Sequence, residues 1–98
     1  MSEPQSIELT INHASGLHMR PATLFVQTAA KFQSKITVKN LDREKSPAGD
    51  AKSMFTIMML GVKQGHRVHV EAVGDDAEQA LAALKELVDT NFAEFDEH

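Results

Sequence analysis

The chain has 98 residues, of which 42% are hydrophobic, and its formal net charge is −4. This length and apolar content suit one domain with a single modest core. The acidic balance argues against non-specific nucleic-acid binding, which needs a basic surface. The sequence lacks cysteine, which excludes disulfides and thiolate metal sites. It also lacks a long apolar run and a basic, apolar N-terminal segment, so we expect a cytoplasmic protein without membrane insertion or a secretory signal.

Three segments alternate apolar and polar residues with the period of two that is typical of β-strands. They are SIELTI at 6–11, KITVK at 35–39 and RVHVEA at 67–72. Each has one apolar and one polar or charged face, which predicts an antiparallel sheet covered on one side and open to water on the other. We expect the loop NLDREKSPAGD, at 40–50, to lead into a short edge strand where Pro47 is tolerated.

Two segments carry apolar residues at helical spacing. Their stripes comprise Ala22, Phe25, Val26, Ala29 and Phe32 in the first, and Ala77, Ala80, Leu81, Leu84, Leu87, Val88 and Phe92 in the second. Asp75 and Glu78 predict a capping box at the start of the second helix. A shorter helix is expected in SMFTIMML, at 53–60, with Ser53 as its N-cap and Gly61 as its stop.

The resulting order is strand, helix, strand, strand, helix, strand, helix. We find no repeat and no internal linker, so residues 1–98 are interpreted as a single α+β domain. Its predicted architecture is an open-faced sandwich with a four-stranded antiparallel sheet and three helices on one face. The acidic end, AEFDEH, is expected to be a solvated tail.

The stretch GLHMRPA, at 16–22, has the features of a joint between a loop and a helix. Gly16 permits a tight bend, and Pro21 suits a first helical turn because its missing N–H has no helical partner there. These positions place His18 at or near the N-cap, beside free backbone amides that attract an anion. Arg20 adds a forked set of donors suited to phosphate. A neutral histidine is also a nucleophile, so the joint suits phosphoryl acceptance.

The alternative is that His18 only caps the helix next to a solvent-exposed Arg20. Spacing and chemistry alone leave both interpretations open, although histidine is an uncommon N-cap residue.

GLHMRPA and the following ATLFVQTAAKF resemble the active-site segment of HPr, the histidine-containing phosphocarrier family of the bacterial phosphoenolpyruvate-dependent sugar phosphotransferase system. AKSMFTIMMLGVKQG resembles the regulatory-serine segment of that family, and VEAVGDDAEQALAALKELV resembles its last strand and helix. The resemblance covers about residues 6–90, leaving a short N-terminal extension and the acidic tail. The fold of that family agrees with the one predicted above.

The resemblance implies that enzyme I transfers a phosphoryl group to Nδ1 of His18, and that the chain then passes it to enzyme IIA domains of sugar transporters. Arg20 matches the family's active-site arginine, and Ser15 matches a position that supports the site. Such a protein is a carrier rather than an enzyme, needs no cofactor, and is expected to be a monomer. The sequence also resembles the family's kinase target at Ser53, which implies HPr kinase/phosphorylase and a transcriptional regulator as further partners and a role in catabolite repression.

Met54, Phe55 and Met58 lie on one side of the predicted short helix, where Ile57 and Leu60 suit the core. In the family the equivalent side chains dock onto partners, so we expect an exposed docking patch; the alternative is a fully buried helix. Two other functions remain open: a regulatory HPr-like protein that acts through Ser53, and a carrier of the nitrogen branch.

The remaining histidines are not expected to bind metal. His66 and His69, if both lie on a strand, point to opposite faces, and His13 is interpreted as a surface residue rather than a second acceptor. Two departures from the family pattern stand out. The 40–50 loop is several residues longer, for which we expect a local effect only, and Met19 replaces a small or polar residue.

Overall fold

The computed structural model describes residues 3–93 and contains four strands and three helices in the predicted order. The strands are β1 (Gln5–Thr10), β2 (Lys35–Asn40), β3 (Gly49–Asp50) and β4 (Arg67–Val73). The helices are α1 (Met19–Ala30), α2 (Met54–Met59) and α3 (Ala77–Asp89). The predicted acidic tail lies outside the described residues, apart from Ala93.

The four strands form one antiparallel sheet in the order β1-β4-β2-β3. The central strand β4 places Val70 opposite Ile7 of β1 on one side and Val38 of β2 on the other. The same register aligns His69 with Glu8 and Lys39. Because strand residues alternate between faces, this register collects the apolar residues on one face and the polar ones on the other. The predicted α+β open-faced sandwich is confirmed.

The helices cover the apolar face, with α3 packed on β1 and β4 and α1 packed beside both α2 and α3. The buried strand residues are the apolar Leu9, Ile36, Val38, Val68, Val70 and Ala72 and the polar Asn40. The predicted stripe of α3 is buried from Ala77 to Val88. In α1 the buried face is wider than predicted: it also includes Leu24 and Thr28, whereas Val26 and Phe32 are only partly buried.

Two predictions about α3 are wrong in detail. The N-cap is Asp76 rather than Asp75, and its side chain makes no capping hydrogen bond. Its carboxylate instead accepts hydrogen bonds from the backbone N–H groups of Gln33 and Ser34, at 2.8 and 2.9 Å, and from the Ser34 hydroxyl. The carboxylate of the N-cap residue thus holds the segment before β2 and does not cap its own helix.

The C-terminal end of α3 also differs from the prediction. The helix ends at Asp89, although Phe92 was assigned to its apolar stripe. Asn91 and Phe92 adopt left-handed backbone conformations, with φ of 56° and 62°. The resulting reversal is closed by a hydrogen bond from the Phe92 N–H to the Leu87 carbonyl at 2.8 Å. Phe92 is therefore buried, at 3% exposure, without being helical.

The long loop between β2 and β3 lies against the C-terminal end of α2. Arg43 Nη1 donates a hydrogen bond to the Met59 carbonyl at 3.0 Å, and this contact passes over Gly61, where a Cβ would lie 2.7 Å from the guanidinium. Pro47 precedes β3 and does not lie within it. A groove of about 410 Å³ separates the loop from Phe55 and Met59 of α2. Within residues 3–93, no helix has the length and apolar character needed to cross a bilayer.

Candidate functional site

The loop between β1 and α1 is held tightly against the loop that follows α2. Gly16 has a φ of +61°, and a Cβ at this position would lie 2.2 Å from the Val62 carbonyl oxygen. The next residue, Leu17, is fully buried, and its N–H donates to the same carbonyl at 3.0 Å. The contact leaves no room for a side chain at Gly16. Gly16 therefore determines the positions of the next two residues, Leu17 and His18.

His18 is the N-cap of α1, as predicted, with extended backbone angles of φ −130° and ψ 163°. Its side chain makes no capping hydrogen bond, and the residue is half-buried. The first turn of α1 contains no acidic residue that would offset the positive end of the helix dipole. The imidazole is therefore not committed to capping the helix and lies at a helix end that favours an anion.

Arg20 and Pro21 occupy the second and third positions of α1. Arg20 is exposed, and Pro21 is buried at a position where its missing N–H costs no helical hydrogen bond. Met19, at the first position, combines a left-handed φ of 57° with 73% exposure. A non-glycine residue in that region is strained, which means that the surrounding contacts impose the conformation.

Ser15 is half-buried, and its backbone N–H donates to Nδ1 of His13 at 3.0 Å. His13 is not the simple surface residue that the sequence suggested. It is half-buried, its carbonyl accepts the Gly16 N–H at 2.8 Å, and its ring packs edge-to-face on Phe92 with centroids 5.8 Å apart. Ser15 and His13 thus belong to the turn that precedes His18.

Ser53 is the N-cap of α2, as predicted. Its hydroxyl oxygen accepts the Thr56 N–H at 3.2 Å, and its carbonyl accepts the Ile57 N–H at 3.0 Å. The helix ends at Met59, and Gly61 follows with a φ of 63°, so the predicted glycine stop is also confirmed. Val62, the partner of Gly16 and Leu17, comes directly afterwards, so the end of α2 lies beside the loop that carries His18.

The exposed face of α2 is apolar. Phe55, Met58 and Met59 are 74%, 43% and 61% exposed, and their spacing of three and four residues places them on one side of the helix. We call these three residues the α2 patch. Met54, which was predicted to belong to it, is partly buried against the core, whereas Met59 was not assigned. Ile57 and Leu60 are buried, as predicted.

His66 and His69 do not share an environment. His66 precedes β4 and its Nδ1 accepts the Lys63 N–H at 3.1 Å, whereas His69 lies within the strand. Between residues 3 and 93 no group of three or more His, Asp or Glu side chains is arranged to hold a metal ion.

Asp42 and Asp76 have lowered pKa values, and neither belongs to the loop or helix that carries His18. Hydrogen bonds from the Arg67 side chain and backbone lower the pKa of Asp42. The Ser34 hydroxyl and then the Gln33 N–H lower the pKa of Asp76. Both groups hold loops to strands or helices, so we assign them to the structure and not to phosphoryl chemistry.

The sequence predicts His18, Arg20 and Ser53 as site residues because each lies in a recognisable local pattern. The sequence did not predict that Met59 is exposed. Helical spacing separates Ile57 from Phe55, but it does not specify how a short helix is rotated about its axis relative to the core. The sequence also did not predict the role of His13, since its partners are Ser15 and a residue 79 positions later in the chain.

Comparison with known proteins identifies the family. The model described as "PTS HPr component phosphorylation site" matches residues 5–90. The multiphosphoryl transfer protein of Salmonella typhimurium is 43% identical over 89 residues, which are 91% of this chain. The chain spans only 23% of the length of that relative. Phosphocarrier protein HPr of Xylella fastidiosa is 39% identical over 87 residues, covering 89% of this chain and 93% of that protein.

A solved structure agrees with the sequence matches. The crystal structure of HPr-C-His from Thermoanaerobacter tengcongensis superposes with a TM-score of 0.83 at 44% identity, covering 92% of this chain and 97% of the other. Sequence and fold thus agree over nearly the whole described region, including the loop and helix that carry His18. The chain belongs to the HPr family of phosphocarriers of the phosphotransferase system.

Proposed function

We propose that the chain is a phosphoryl carrier: it accepts a phosphoryl group from enzyme I on Nδ1 of His18 and passes it to enzyme IIA domains of sugar transporters. The observation that carries this proposal is an N-cap histidine whose side chain makes no capping hydrogen bond at a helix N-terminus without acidic residues. Membership of the HPr family supports the same role.

The chemistry requires a neutral imidazole and a place for the charge of the phosphoryl group. An Nδ1 lone pair attacks phosphorus, and the bond from phosphorus to the donor nitrogen breaks as the new P–N bond forms. Because both are phosphorus–imidazole bonds, the transfer is nearly balanced. The site therefore contributes position and charge stabilisation, and the chain acts as substrate and then donor in the transfer, not as a free-standing catalyst. No cofactor is needed.

Three features supply that stabilisation. The backbone amides of the first turn of α1 are suited to phosphate oxygens. Arg20 lies two positions after His18 and brings a fixed positive charge with forked donors. Gly16 and Leu17 fix the approach of the loop through the Val62 carbonyl. Ser15 is proposed to support the site through the turn that precedes Gly16.

Enzyme I and the enzyme IIA domains are proposed to dock on the α2 patch, with Met54 contributing from its partly buried position. The patch is exposed, apolar and built largely from flexible methionines, which suits a surface that must fit several partners in turn.

The carrier role is tested by intact-mass spectrometry after incubation with phosphoenolpyruvate and a heterologous enzyme I. The expected result is one acid-labile phosphoryl group on the wild type and on His69→Ala, and none on His18→Ala. His69 is a matched control because it lies on the sheet, away from α1. An unmodified wild type, with enzyme I active on a known carrier, would contradict the proposal.

A second function is favoured by the position of Ser53. Its hydroxyl lies at the start of α2, two residues before Phe55 of the exposed patch. Phosphorylation there by an HPr kinase/phosphorylase would add negative charge at a helix N-terminus, which the helix tolerates, and would change the surface offered to enzyme I and to a transcriptional regulator. Incubation with such a kinase and ATP should label the wild type but not Ser53→Ala; labelling of both would assign the modification elsewhere.

A further inference from the structure

The turn that leads to His18 is closed by a side chain as well as by the backbone. The His13 carbonyl accepts the Gly16 N–H at 2.8 Å, and His13 Nδ1 accepts the Ser15 N–H at 3.0 Å. A side-chain acceptor that binds the N–H two residues later is the pattern of an Asx turn, in which Asn or Asp normally supplies the oxygen. Here an imidazole nitrogen takes that place, which requires the neutral ring with its proton on Nε2.

The His13 imidazole is oriented by Phe92, which lies in the reversal that follows α3. Its ring meets Phe92 edge-to-face, with an interplanar angle of 88°. Phe92 is 3% exposed and is fixed by its hydrogen bond to the Leu87 carbonyl after the left-handed reversal. The core therefore sets the plane of the His13 ring, and the ring sets the position of the Ser15 amide.

A shift of this turn would move His18 as well, because the two residues between them are held tightly. A Cβ added at Gly16 would lie 2.2 Å from the Val62 carbonyl oxygen and 2.8 Å from the Lys63 Cα, and Leu17 is fully buried. His18 follows immediately, and its ring must remain beside the first-turn amides of α1. A displacement of about 1 Å can reduce the rate of an aligned transfer about 100-fold.

We propose that His13 is a positioning residue for phosphoryl transfer at His18, acting through the Nδ1 acceptor that closes the 13–16 turn on Phe92. This inference rests on the proposed carrier function. In this role His13 Nδ1 is the acceptor of the Ser15 N–H and not the acceptor of the phosphoryl group.

The experiment measures the single-turnover rate of phosphorylation by enzyme I that has been charged with phosphoenolpyruvate. Four variants distinguish the effect of the hydrogen-bond acceptor from the effect of ring packing on Phe92. They are His13→Asn, His13→Leu, His13→Ala and His13→Gln. Asn places its Oδ1 where Nδ1 lies and restores an Asx turn. Leu keeps apolar bulk against Phe92 without an acceptor, and Gln moves the acceptor one bond too far away.

The expected result is a rate reduced about tenfold in His13→Leu, His13→Ala and His13→Gln, as for the loss of one hydrogen bond that orders the site, and a rate within about twofold of wild type in His13→Asn. The amide resonances of Ser15 and Gly16 should shift in the first three variants and stay near their wild-type positions in His13→Asn. If His13 had only a structural role, the loss of rate in each variant would follow its decrease in melting temperature, and His13→Asn would not restore the rate.

Two outcomes would overturn the inference: wild-type rates in both His13→Leu and His13→Ala, or an Asn variant that is as slow as the Ala variant. Failure of the carrier proposal itself looks different, because wild type would then carry no phosphoryl group at all. Denaturant unfolding of every variant identifies any loss of rate that comes from a partly unfolded population.

Discussion

At the scale of single residues, Gly16 shows how a contact between backbone groups determines residue identity. It combines a left-handed φ with a space too small for a methyl group beside the Val62 carbonyl. The steric demand arises from the chain that follows α2, whereas the left-handed φ belongs to the local turn in which the Gly16 N–H donates to the His13 carbonyl. The glycine therefore links the position of His18 to the end of the helix that carries the α2 patch.

Replacing Gly16 with alanine should destabilise the protein by about 2–3 kcal/mol, because left-handed strain is added to overpacking. Gly65→Ala is a matched control: its φ is +89°, but nothing lies within 4 Å of the added Cβ, so only the conformational cost of about 1–2 kcal/mol applies. Urea unfolding of both variants measures the difference. Equal destabilisation would show that the loop moves freely away from Val62.

Ser53 illustrates how capping and charge can be separated at one position. Ser53→Ala should lose about 1 kcal/mol of stability, since the Thr56 N–H loses its acceptor. Ser53→Asn and Ser53→Asp both restore the cap, but only Asp adds a negative charge. We expect Ser53→Asp alone to raise the KM for phosphorylation by enzyme I. An equal rise in Ser53→Asn would assign the effect to shape and not to charge.

At the scale of elements, α2 is a short helix whose two sides have different roles. Ile57 and Leu60 are buried in the core, while the α2 patch of Phe55, Met58 and Met59 remains exposed. Its start is defined by the Ser53 cap and its end by Gly61, so the helix does not depend on the patch for its stability. Exposed apolar side chains that are not needed for folding are typical of a docking surface.

Phe55→Ala should therefore leave the free energy of unfolding within about 0.5 kcal/mol of wild type. It should raise the KM for phosphorylation by enzyme I about tenfold, as expected for an aromatic residue near the centre of an interface. Val73→Ala, which removes an exposed apolar side chain at the end of β4, is the control and should leave the KM unchanged. Steady-state kinetics and urea unfolding check the two quantities; an unchanged KM in Phe55→Ala would place docking elsewhere.

At the scale of the whole molecule, contacts between segments that are distant in sequence hold the helices and loops together. Asp76, at the start of α3, accepts hydrogen bonds from Gln33 and Ser34, which lie more than forty residues earlier, just before β2. Phe92 performs a similar function at the other end of α3, where it supports the loop of His13. The loop that carries His18 is therefore supported from the end of α3 as well as from α1.

The Asp76 carboxylate should make stability depend on pH in a defined direction. Its hydrogen bonds lower the folded-state pKa below the ordinary value of 3.8, so its contribution is complete above that value and is lost as the pH falls through the lower, folded-state pKa. Asp76→Asn should be less stable than wild type at neutral pH, and the difference should shrink in acid. Denaturant unfolding at several pH values measures it.

Glu78→Gln is the control for this pH dependence, because it removes an exposed negative charge from the first turn of the same helix. Its stability should differ from wild type by only a few tenths of a kcal/mol. An Asp76→Asn variant with a pH profile parallel to that of wild type would contradict the assignment.

Much of the fold could be predicted because its signals are local. The alternation in SIELTI, KITVK and RVHVEA, and the helical stripes around Phe25 and Leu84, each follow from burial on one face of a regular element. The N-cap positions of His18 and Ser53 and the stop at Gly61 also depend on neighbouring residues alone. The family resemblance of GLHMRPA added the chemistry that spacing had left open.

Other features were decided only by tertiary contacts. The N-cap of α3 is Asp76 and not the predicted Asp75, and its carboxylate accepts hydrogen bonds from Gln33 and Ser34. Phe92 is buried through a left-handed reversal that no helical period predicts. The rotation of α2, which exposes Met59 and partly buries Met54, follows from packing against the core. Sequence determined the elements and the position of His18 at the joint between loop and helix, because local patterns specify them. The setting of His18 among His13, Phe92 and Val62 required the fold, because its contacts join residues that are far apart in the chain.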